Sequence, residues 1–319
     1  MSISIVTTLY RSAAYLEEFC ARAARCAARV TDRYEIVLVN DGSPDESRNL
    51  ALKLVAQNPH IILVDLSRNF GHHQAMMAGL EQARGDQVFL IDCDLEEAPE
   101  LLEEFHKRFE AEGDCDVVFG YQDRRKGSLF EQLSGWLFYK LINFLSDIDF
   151  VENLLTARLM SRRYVEALLQ YQEREIVISG LWALAGFKQV GVPATKGSRG
   201  ASSYTFRSRF RLMVNTVASF SAKPLFVIVI FGLAISALSL VGLIYMFLSA
   251  LIVGSAVPGW ASVMISVWFL GGLIILFLGV IGTYIAKIFI ETKRRPLTIV
   301  RAVHRRDAQT GGEQAAKSS

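Results

Sequence analysis

The sequence predicts an α/β domain with a mainly parallel, doubly wound sheet, followed by two membrane-spanning helices. Over roughly the first 125 residues, apolar runs of strand length alternate with longer amphipathic segments, and this alternation is typical of parallel sheets covered by helices. Nearer the C-terminus, the 63 consecutive residues between Lys223 and Lys287 contain no Asp, Glu, Lys, Arg or His. Soluble domains do not contain an uncharged stretch of that length, so this part of the chain is expected to lie in a membrane.

The charged residues divide the chain into an acidic part and a basic part. Residues 1–204 contain 22 Lys and Arg against 29 Asp and Glu, whereas residues 205–319 contain 12 against 3. We therefore expect a cytoplasmic domain over residues 1–204, an amphipathic juxtamembrane segment over 205–223, the membrane helices over 224–290, and a basic then disordered cytoplasmic tail over 291–319. Because the globular part is acidic, nucleic acid is not an expected partner.

Five strands and four helices are predicted in the globular part. The strands are apolar runs bounded by turn residues, over residues 2–8, 34–40, 61–65, 87–91 and 116–120. The helices are segments with apolar residues at helical spacing, over residues 15–30, 45–57, 73–83 and 99–112. Ligands of such sheets bind beyond the C-terminal ends of the strands, so the residues that follow each strand are where a site is expected.

Two membrane spans are predicted within the uncharged stretch, over residues 225–252 and 263–286. Each exceeds the ~20 helical residues that cross a hydrocarbon core, and the segment VGSAVPGWAS between them contains the Gly and Pro of a short loop. Basic residues flank the pair on both sides, which predicts cytoplasmic termini and a multi-pass protein of the cell inner (plasma) membrane. The 205–223 segment mixes Arg with aromatic residues, and either lies along the membrane surface or is a plain connecting helix.

A pair of carboxylates follows the fourth predicted strand. Asp92 and Asp94 come directly after the apolar run VFLI, and Asp41 follows the second strand. Because the ends of parallel strands share one edge of a sheet, these three carboxylates are expected along one rim. Oxygen ligands favour Mg²⁺ or Mn²⁺, and such an ion would neutralise a nucleotide diphosphate as it leaves. An isolated Asp-x-Asp is also the pattern of an ordinary acidic turn.

Further motifs resemble a known family. The segments VNDGSPDES, LSRNFGHHQAMMAGLEQARGD and LIDCDLEEAPE, with the terminal helix pair, are similar to the polyprenyl-phosphate glycosyltransferases of glycosyltransferase family 2, over residues 2 to about 295. The resemblance implies a GT-A fold, a nucleotide-sugar donor, and Mg²⁺ or Mn²⁺ as cofactor. It also implies an undecaprenyl or dolichyl phosphate acceptor, glycosylated with inversion at the cytoplasmic leaflet.

The resemblance also implies sets of site residues. For the nucleotide sugar, the matching positions are Thr8, Tyr10, Asn40, Asp41, Asp92, Cys93 and Asp94. For the acceptor and its phosphate they are Thr156, Arg158, Arg199, Ser202 and Tyr204. For the metal they are Asp92, Asp94 and Glu96, and Asp92, Asp94 and Arg199 are expected to carry catalysis. Arg124, with Arg125 beside it, is a further phosphate candidate because guanidinium groups bind phosphate bidentately, although a solvated basic turn accounts for it equally well.

Two histidines stand at the start of the third predicted helix. His72 and His73 follow Asn69-Phe70-Gly71, and we expect them to pack or to cap the helix rather than to act as a base. A base is not required, because a phosphomonoester with a second pKa near ~6 is already largely a dianion at neutral pH.

Two other functions are compatible with these patterns. A processive polysaccharide synthase has a similar catalytic domain, but two spans make no obvious pore and no QxxRW-like motif is present. A degenerate domain that binds nucleotide sugar as a membrane scaffold would account for the departures from the family pattern, such as Asn40 in place of Asp. For the transferase we expect a UDP-sugar in preference to a GDP-sugar, and a homo-oligomer could form through glycines of the second span.

Overall fold

The computed structural model describes residues 1–122, 154–174, 176–195, 197, 217–218, 221–253 and 259–306. The chain divides into two compact units. The first contains a sheet with its covering helices, and the chain returns to it from Arg295 onward. The second contains two long apolar helices.

The first unit is built on an eight-stranded mixed sheet. Its strands are β1 (Ile3–Leu9), β2 (Tyr34–Asn40), β3 (Ile61–Leu66), β4 (Gln87–Leu90), β5 (Val117–Tyr121), β6 (Leu154–Ser161), β7 (Gln189–Pro193) and β8 (Val300–His304). Their order across the sheet is β7-β5-β6-β4-β1-β2-β3-β8. Strands β4, β1, β2 and β3 are parallel neighbours, and β5 pairs in parallel with β7. The predicted parallel α/β class is confirmed, while β6 and β8 run antiparallel to their neighbours.

Six helices of this unit lie in the part of the chain that the structure describes. They are α1 (Leu16–Val30), α2 (Ser47–Gln57), α3 (His72–Gln82), α4 (Leu101–Glu112), α5 (Arg162–Leu168) and α6 (Ile178–Leu184). The four predicted helices and five predicted strands are all present, with ends within two residues of the prediction. Their apolar residues recur at the spacing of a helix or a buried strand, which is why these boundaries follow from the sequence.

Both faces of the central strands are covered. Ile5 belongs to the apolar cluster formed with α1 and α4, whereas its neighbour Val6 points to the other face, against α3. There Gly79 brings the α3 backbone so close that a Cβ would overlap Val6 and Val39. Two-sided burial explains why these strands are continuous apolar runs and not alternating ones.

Three strands were not predicted, and each has a physical reason. Strands β6 and β7 follow a long segment without clear strand boundaries, although LLTARLMS is itself an apolar run. Strand β8 has the sequence VRAVH, whose charge and exposure resemble a tail. An edge strand tolerates charged residues because one of its sides faces solvent. The predicted tail over 291–319 therefore contains a strand at 300–304, and its end, 307–319, lies outside the described residues.

The second unit contains α7 (Lys223–Val253) and α8 (Trp260–Thr292). Within α8, Ser266–Thr292 has a mean hydropathy of 2.4 and is long and apolar enough to cross a membrane. Its apolar side chains are exposed, Trp268 to 77%, unlike those of a helix in a soluble core. The predicted span 263–286 lies within α8 and the span 225–252 within α7, whose crossing of the membrane stays a prediction. Most of the 205–223 segment lies outside the described residues.

Candidate active site

The candidate site lies at the edge where the parallel strands end. Thr8 near the end of β1, Asp41 after β2 and Asp92 after β4 are brought to this edge because these strands are parallel. Strand β6 runs the other way, so its beginning reaches the same edge and contributes Thr156. The carboxylates are thus near one another, as the sequence predicts, together with a hydroxyl from β6.

A continuous set of polar contacts joins four elements at this edge. The Thr8 hydroxyl lies 3.0 Å from Nδ1 of His72, at the start of α3. The other ring nitrogen of His72, Nε2, lies 3.3 Å from Oδ1 of Asp92. The second oxygen of Asp92 accepts a hydrogen bond of 2.9 Å from the Thr156 hydroxyl. Asp92 is therefore held on both sides by side chains distant in sequence.

His72 does more than pack or cap the helix, because its ring contacts both Thr8 and Asp92. Burial alone would lower the pKa of His72, but the hydrogen bond and charge of Asp92, with further charge from Asp41 and Asp94, raise that pKa above its usual value. Its neighbour His73 places Nδ1 2.8 Å from the carbonyl of Ile176, which is a packing contact. The position of His72 after β3, at the edge shared by the strand ends, is the signal that could have identified it.

Asp41 holds a loop of the site. Its carboxylate accepts hydrogen bonds from the backbone N–H groups of Phe70 (2.7 Å) and Gly71 (3.1 Å), and the residue is 2% exposed. The next residue, Gly42, has a φ of +59°, and a Cβ there would overlap the backbone of Asn69. The structure thus gives Asp41 the task of fastening the loop that precedes His72, where the sequence predicts a direct contact with the nucleotide.

Asn40 is also occupied by the protein itself. Its Nδ2 donates to Oδ1 of Asp65 at 2.7 Å, and its Oδ1 accepts from the backbone N–H of Ser43 at 3.2 Å. The residue is 2% exposed. Each half of the amide thus has one partner within the protein, and the predicted pairing with a nucleobase edge stays a prediction.

Two further residues are predicted to contact the donor. The side chain of Tyr10 is exposed to solvent, whereas that of Cys93 is buried. The Tyr10 ring is 48% exposed at the end of β1. Cys93 is 3% exposed and belongs to the apolar core, where burial raises the pKa of its thiol. Its side chain faces the core while Asp92 and Asp94 on either side are half-buried, and the contact of Cys93 with the donor stays a prediction.

The three predicted metal ligands do not converge. Oδ1 of Asp94 accepts the backbone N–H of Glu96 at 2.9 Å, closing a turn in which Leu95 has a φ of +61°. Among the described residues, no group of three His, Cys, Asp or Glu side chains is arranged to hold a metal ion. Asp92 and Asp94 are oxygen donors of the type that hard divalent cations prefer, and Glu96 as a third ligand stays a prediction.

Arg158 is buried and does not reach the site surface. It is 1% exposed, its guanidinium lies 3.0 Å from the centre of the Trp182 ring, and burial lowers its pKa. In this structure the guanidinium packs on the Trp182 ring, and the phosphate contact of Arg158 stays a prediction. The remaining acceptor candidates lie outside the described residues: Arg124, Arg125, Arg199, Ser202 and Tyr204.

Asp45 fastens the segment between β2 and α2, and its environment predicts a pH dependence. Partial burial would raise the pKa of Asp45, but hydrogen bonds from Ser43, Ser47 and the Ala13 backbone outweigh it and lower the pKa to about 2. A lowered folded-state pKa stabilises the protein above the ordinary value of 3.8, and this stabilisation is lost as the pH falls through about 2.

We expect the Tm of the protein to fall between pH 4 and pH 2. We expect Asp45→Asn to have a lower Tm at pH 7 and a shallower fall of Tm over the same pH range. An equally steep fall in the variant would contradict this assignment.

Comparison with known proteins gives a consistent result. Residues 4–169 match the model of Glycosyl transferase family 2. A protein of Mycobacterium tuberculosis assigned as a glycosyltransferase is 44% identical over 319 residues, covering 100% of this chain and 93% of the relative. An uncharacterised glycosyltransferase of Synechocystis is 35% identical over 303 residues, covering 94% and 95%. A prophage bactoprenol glucosyl transferase homologue of Escherichia coli is 31% identical over 305 residues, covering 95% and 99%.

A solved structure resembles the sheet unit. A mannosyltransferase from Pyrobaculum calidifontis, in complex with GDP-Man and Mn²⁺, superposes with a TM-score of 0.50 at 16% identity. The match covers 68% of this chain and 63% of that one. At this identity the likeness shows the fold alone, which is the GT-A-like mixed α/β sheet.

Proposed function

Because the chain belongs to glycosyltransferase family 2, we propose that it transfers a sugar from a nucleotide-sugar donor to a polyprenyl phosphate at the cytoplasmic leaflet of the membrane. The observation that carries this proposal is the extent of the likeness to the prophage bactoprenol glucosyl transferase homologue, which includes 99% of that relative and 95% of this chain. The likeness therefore includes the C-terminal apolar helices as well as the catalytic unit. A UDP-sugar is the donor we favour.

A membrane arrangement with two spans suits this reaction. Helix α8 has the length and hydropathy to cross a bilayer, and α7 would be the second span. With basic residues on both flanks, the positive-inside rule puts both termini in the cytoplasm. The site would then be held at the plasma-membrane surface, where the phosphate of a polyprenyl lipid is found.

The residues at the strand ends suit a donor with a diphosphate. Asp92 and Asp94 would hold Mg²⁺ or Mn²⁺, since their oxygens keep lone pairs beyond the hydrogen bonds that they accept. When bound, the cation supplies positive charge beside the diphosphate. We assign Thr8 and the ring of Tyr10, which is exposed, to the nucleoside. We assign Thr156 of β6, whose hydroxyl donates to Asp92, to the acceptor.

The proposed reaction requires the two substrates to be aligned and does not require a general base. A lipid phosphate with a second pKa near ~6 is largely a dianion at neutral pH, so its oxygen can attack the anomeric carbon directly. The bond from that carbon to the donor phosphate breaks, the nucleoside diphosphate leaves with the bonding electrons, and the configuration inverts. Two phosphate-bearing substrates repel each other, so the positive groups of the site must offset that repulsion. Arg124 and Arg199 are our candidates for this task, and Ser202 and Tyr204 are our candidates for binding the acceptor phosphate.

A turnover screen tests the proposal. Purified protein in detergent or bilayers is mixed with Mg²⁺ or Mn²⁺, a short polyprenyl phosphate and a panel of UDP- and GDP-sugars, and glycolipid and free nucleotide diphosphate are measured. We expect lipid-linked sugar from one donor and loss of product on chelation. Donor binding without product across the panel would contradict the proposal and favour the scaffold function.

A further inference from the structure

The strand that follows the last apolar helix makes polar contacts with the donor side of the site. Strand β8 pairs antiparallel with β3, and the register shifts between Asp65 and Leu66, which face Ala302 and Val300. Arg301 is thus the extra residue of an irregularity in the ladder. Such bulges redirect a side chain, and here the Arg301 side chain turns toward the C-terminal end of β3.

Arg301 holds two groups at that end. One guanidinium nitrogen donates to the carbonyl of Ser67 at 2.7 Å, and another lies 3.5 Å from Oδ2 of Asp65. The backbone N–H of Ser67 in turn donates to the carbonyl of Ile299 at 2.9 Å. The beginning of the loop formed by residues 67–71 is therefore fastened to β8 by a side chain and by the backbone.

Asp65 connects Arg301 to strand β2, because its carboxylate contacts both Arg301 and Asn40. Its carboxylate is fully buried, and it accepts from the amide of Asn40 at 2.7 Å and from Nε of Arg48 at 2.9 Å. Asn40 is thereby fixed with its other amide atom on the Ser43 backbone. The turn after β2, where the sequence predicts nucleotide contacts, is held by a carboxylate to which β8 contributes a cation.

The 67–71 loop connects Ser67 to Asp41 and to His72, which contacts Asp92. The Phe70 and Gly71 N–H groups bind the carboxylate of Asp41, and the next residue is His72, which contacts Asp92. Both routes from Arg301, through Asp65 and through Ser67, lead to the half of the site formed by β1, β2 and β4. Thr156 on β6 is reached only one contact further on, through the hydrogen bond that it donates to Asp92.

We infer that Arg301 is a positioning residue for the nucleotide-sugar donor, acting through Asp65 and the 67–71 loop; this rests on the proposed function. Removal of Arg301 leaves Asp65 paired with Arg48, so the buried carboxylate keeps a cation and the fold is retained. The effect is therefore on donor binding and not on the acceptor.

Three variants test the inference. In Arg301→Met we expect the donor KM to rise about tenfold, the acceptor KM to stay within twofold, and the Tm to change little. In Arg301→Lys we expect an intermediate donor KM, because one ammonium group can replace one of the two contacts. Arg306→Met is the matched control: it removes the same charge from the same tail, but Arg306 binds the carbonyl of Gln57 at the other end of β3, and we expect wild-type KM values.

The outcomes separate the inference from the proposed function. A donor KM within twofold of wild type in Arg301→Met, or an equal rise in both KM values that also appears in Arg306→Met, would overturn the inference alone. If the wild type yields no glycolipid with any donor, the proposed function fails, and equilibrium binding of UDP and GDP decides the inference. Binding weakened tenfold only by Arg301→Met would support it, and equal binding in all variants would overturn it.

Discussion

Asp94→Asn should reduce sugar transfer roughly 100- to 1000-fold, the range observed when a charge-stabilising group is removed from a preorganised site. Asp94 is half-buried at the end of β4, and its Oδ1 accepts the N–H of Glu96. An Asn oxygen can accept that same hydrogen bond, so the turn is expected to survive. What the variant loses is the negative charge that would bind a divalent cation. The loss should therefore appear in glycolipid formed per unit time and in a higher Mg²⁺ concentration for half-maximal rate, with an unchanged Tm.

Glu96→Gln is the matched control for this prediction. It removes an equal charge two residues away, from a side chain that forms no ready three-ligand group with Asp92 and Asp94 among the described residues. We expect a loss of less than about tenfold, because a charge that does not touch the cation acts on it at longer range and is screened by solvent. If Glu96→Gln were as inactive as Asp94→Asn, the three-ligand arrangement predicted from the sequence would be correct and the structural assignment wrong.

The sequence predicts the elements of the fold well, and the reason is local. Strands β1 to β5 and helices α1 to α4 have apolar residues at periods set by backbone geometry, so each can be recognised without its neighbours. Strand β8 is different because it lies at an edge, where a side chain such as Arg301 is tolerated. Its pairing with β3 joins residues more than 230 positions apart, and no local pattern reports such a partner.

The sequence predicts which residues lie at the candidate site, whereas their individual roles stay predictions. The strand ends place Thr8, Asp41 and Asp92 at one edge, as expected from the topology. The direction of each side chain depends on partners that are distant in sequence, such as Asp65 for Asn40 and Trp182 for Arg158. Motif positions therefore give the residues that lie near the site, whereas burial and hydrogen bonds decide which of them are open to a substrate.

Glu97→Gln should both destabilise the protein and slow the reaction, because Glu97 fastens the part of β6 that presents Thr156. Glu97 is 1% exposed, and its two oxygens accept the backbone N–H groups of Thr156 (3.1 Å) and Ala157 (2.7 Å). These amides lie beyond the end of the β4 ladder, which stops at Leu90 opposite Arg158. A carboxamide has one acceptor oxygen, so one N–H would face an NH₂ group, and the buried Arg158 would lose a nearby negative charge. We expect unfolding to become easier by about 3 kcal/mol.

Two further variants show whether the slower reaction of Glu97→Gln comes from the loss of its contact with the Thr156 backbone. They are Glu100→Gln and Thr156→Val. Glu100→Gln removes the same charge from an exposed pair with Arg22, and should cost under ~1 kcal/mol in denaturant titration. Thr156→Val removes only the hydroxyl that donates to Asp92, and should lower turnover roughly tenfold, as loss of a hydrogen-bond partner of a metal ligand does. If Glu97 acts by holding Thr156, the double variant Glu97→Gln/Thr156→Val should be no slower than Glu97→Gln alone, since coupled residues are not additive. Additive losses in turnover would mean that Glu97 supports the reaction by another route, and that the contact between Thr156 and Asp92 does not depend on it.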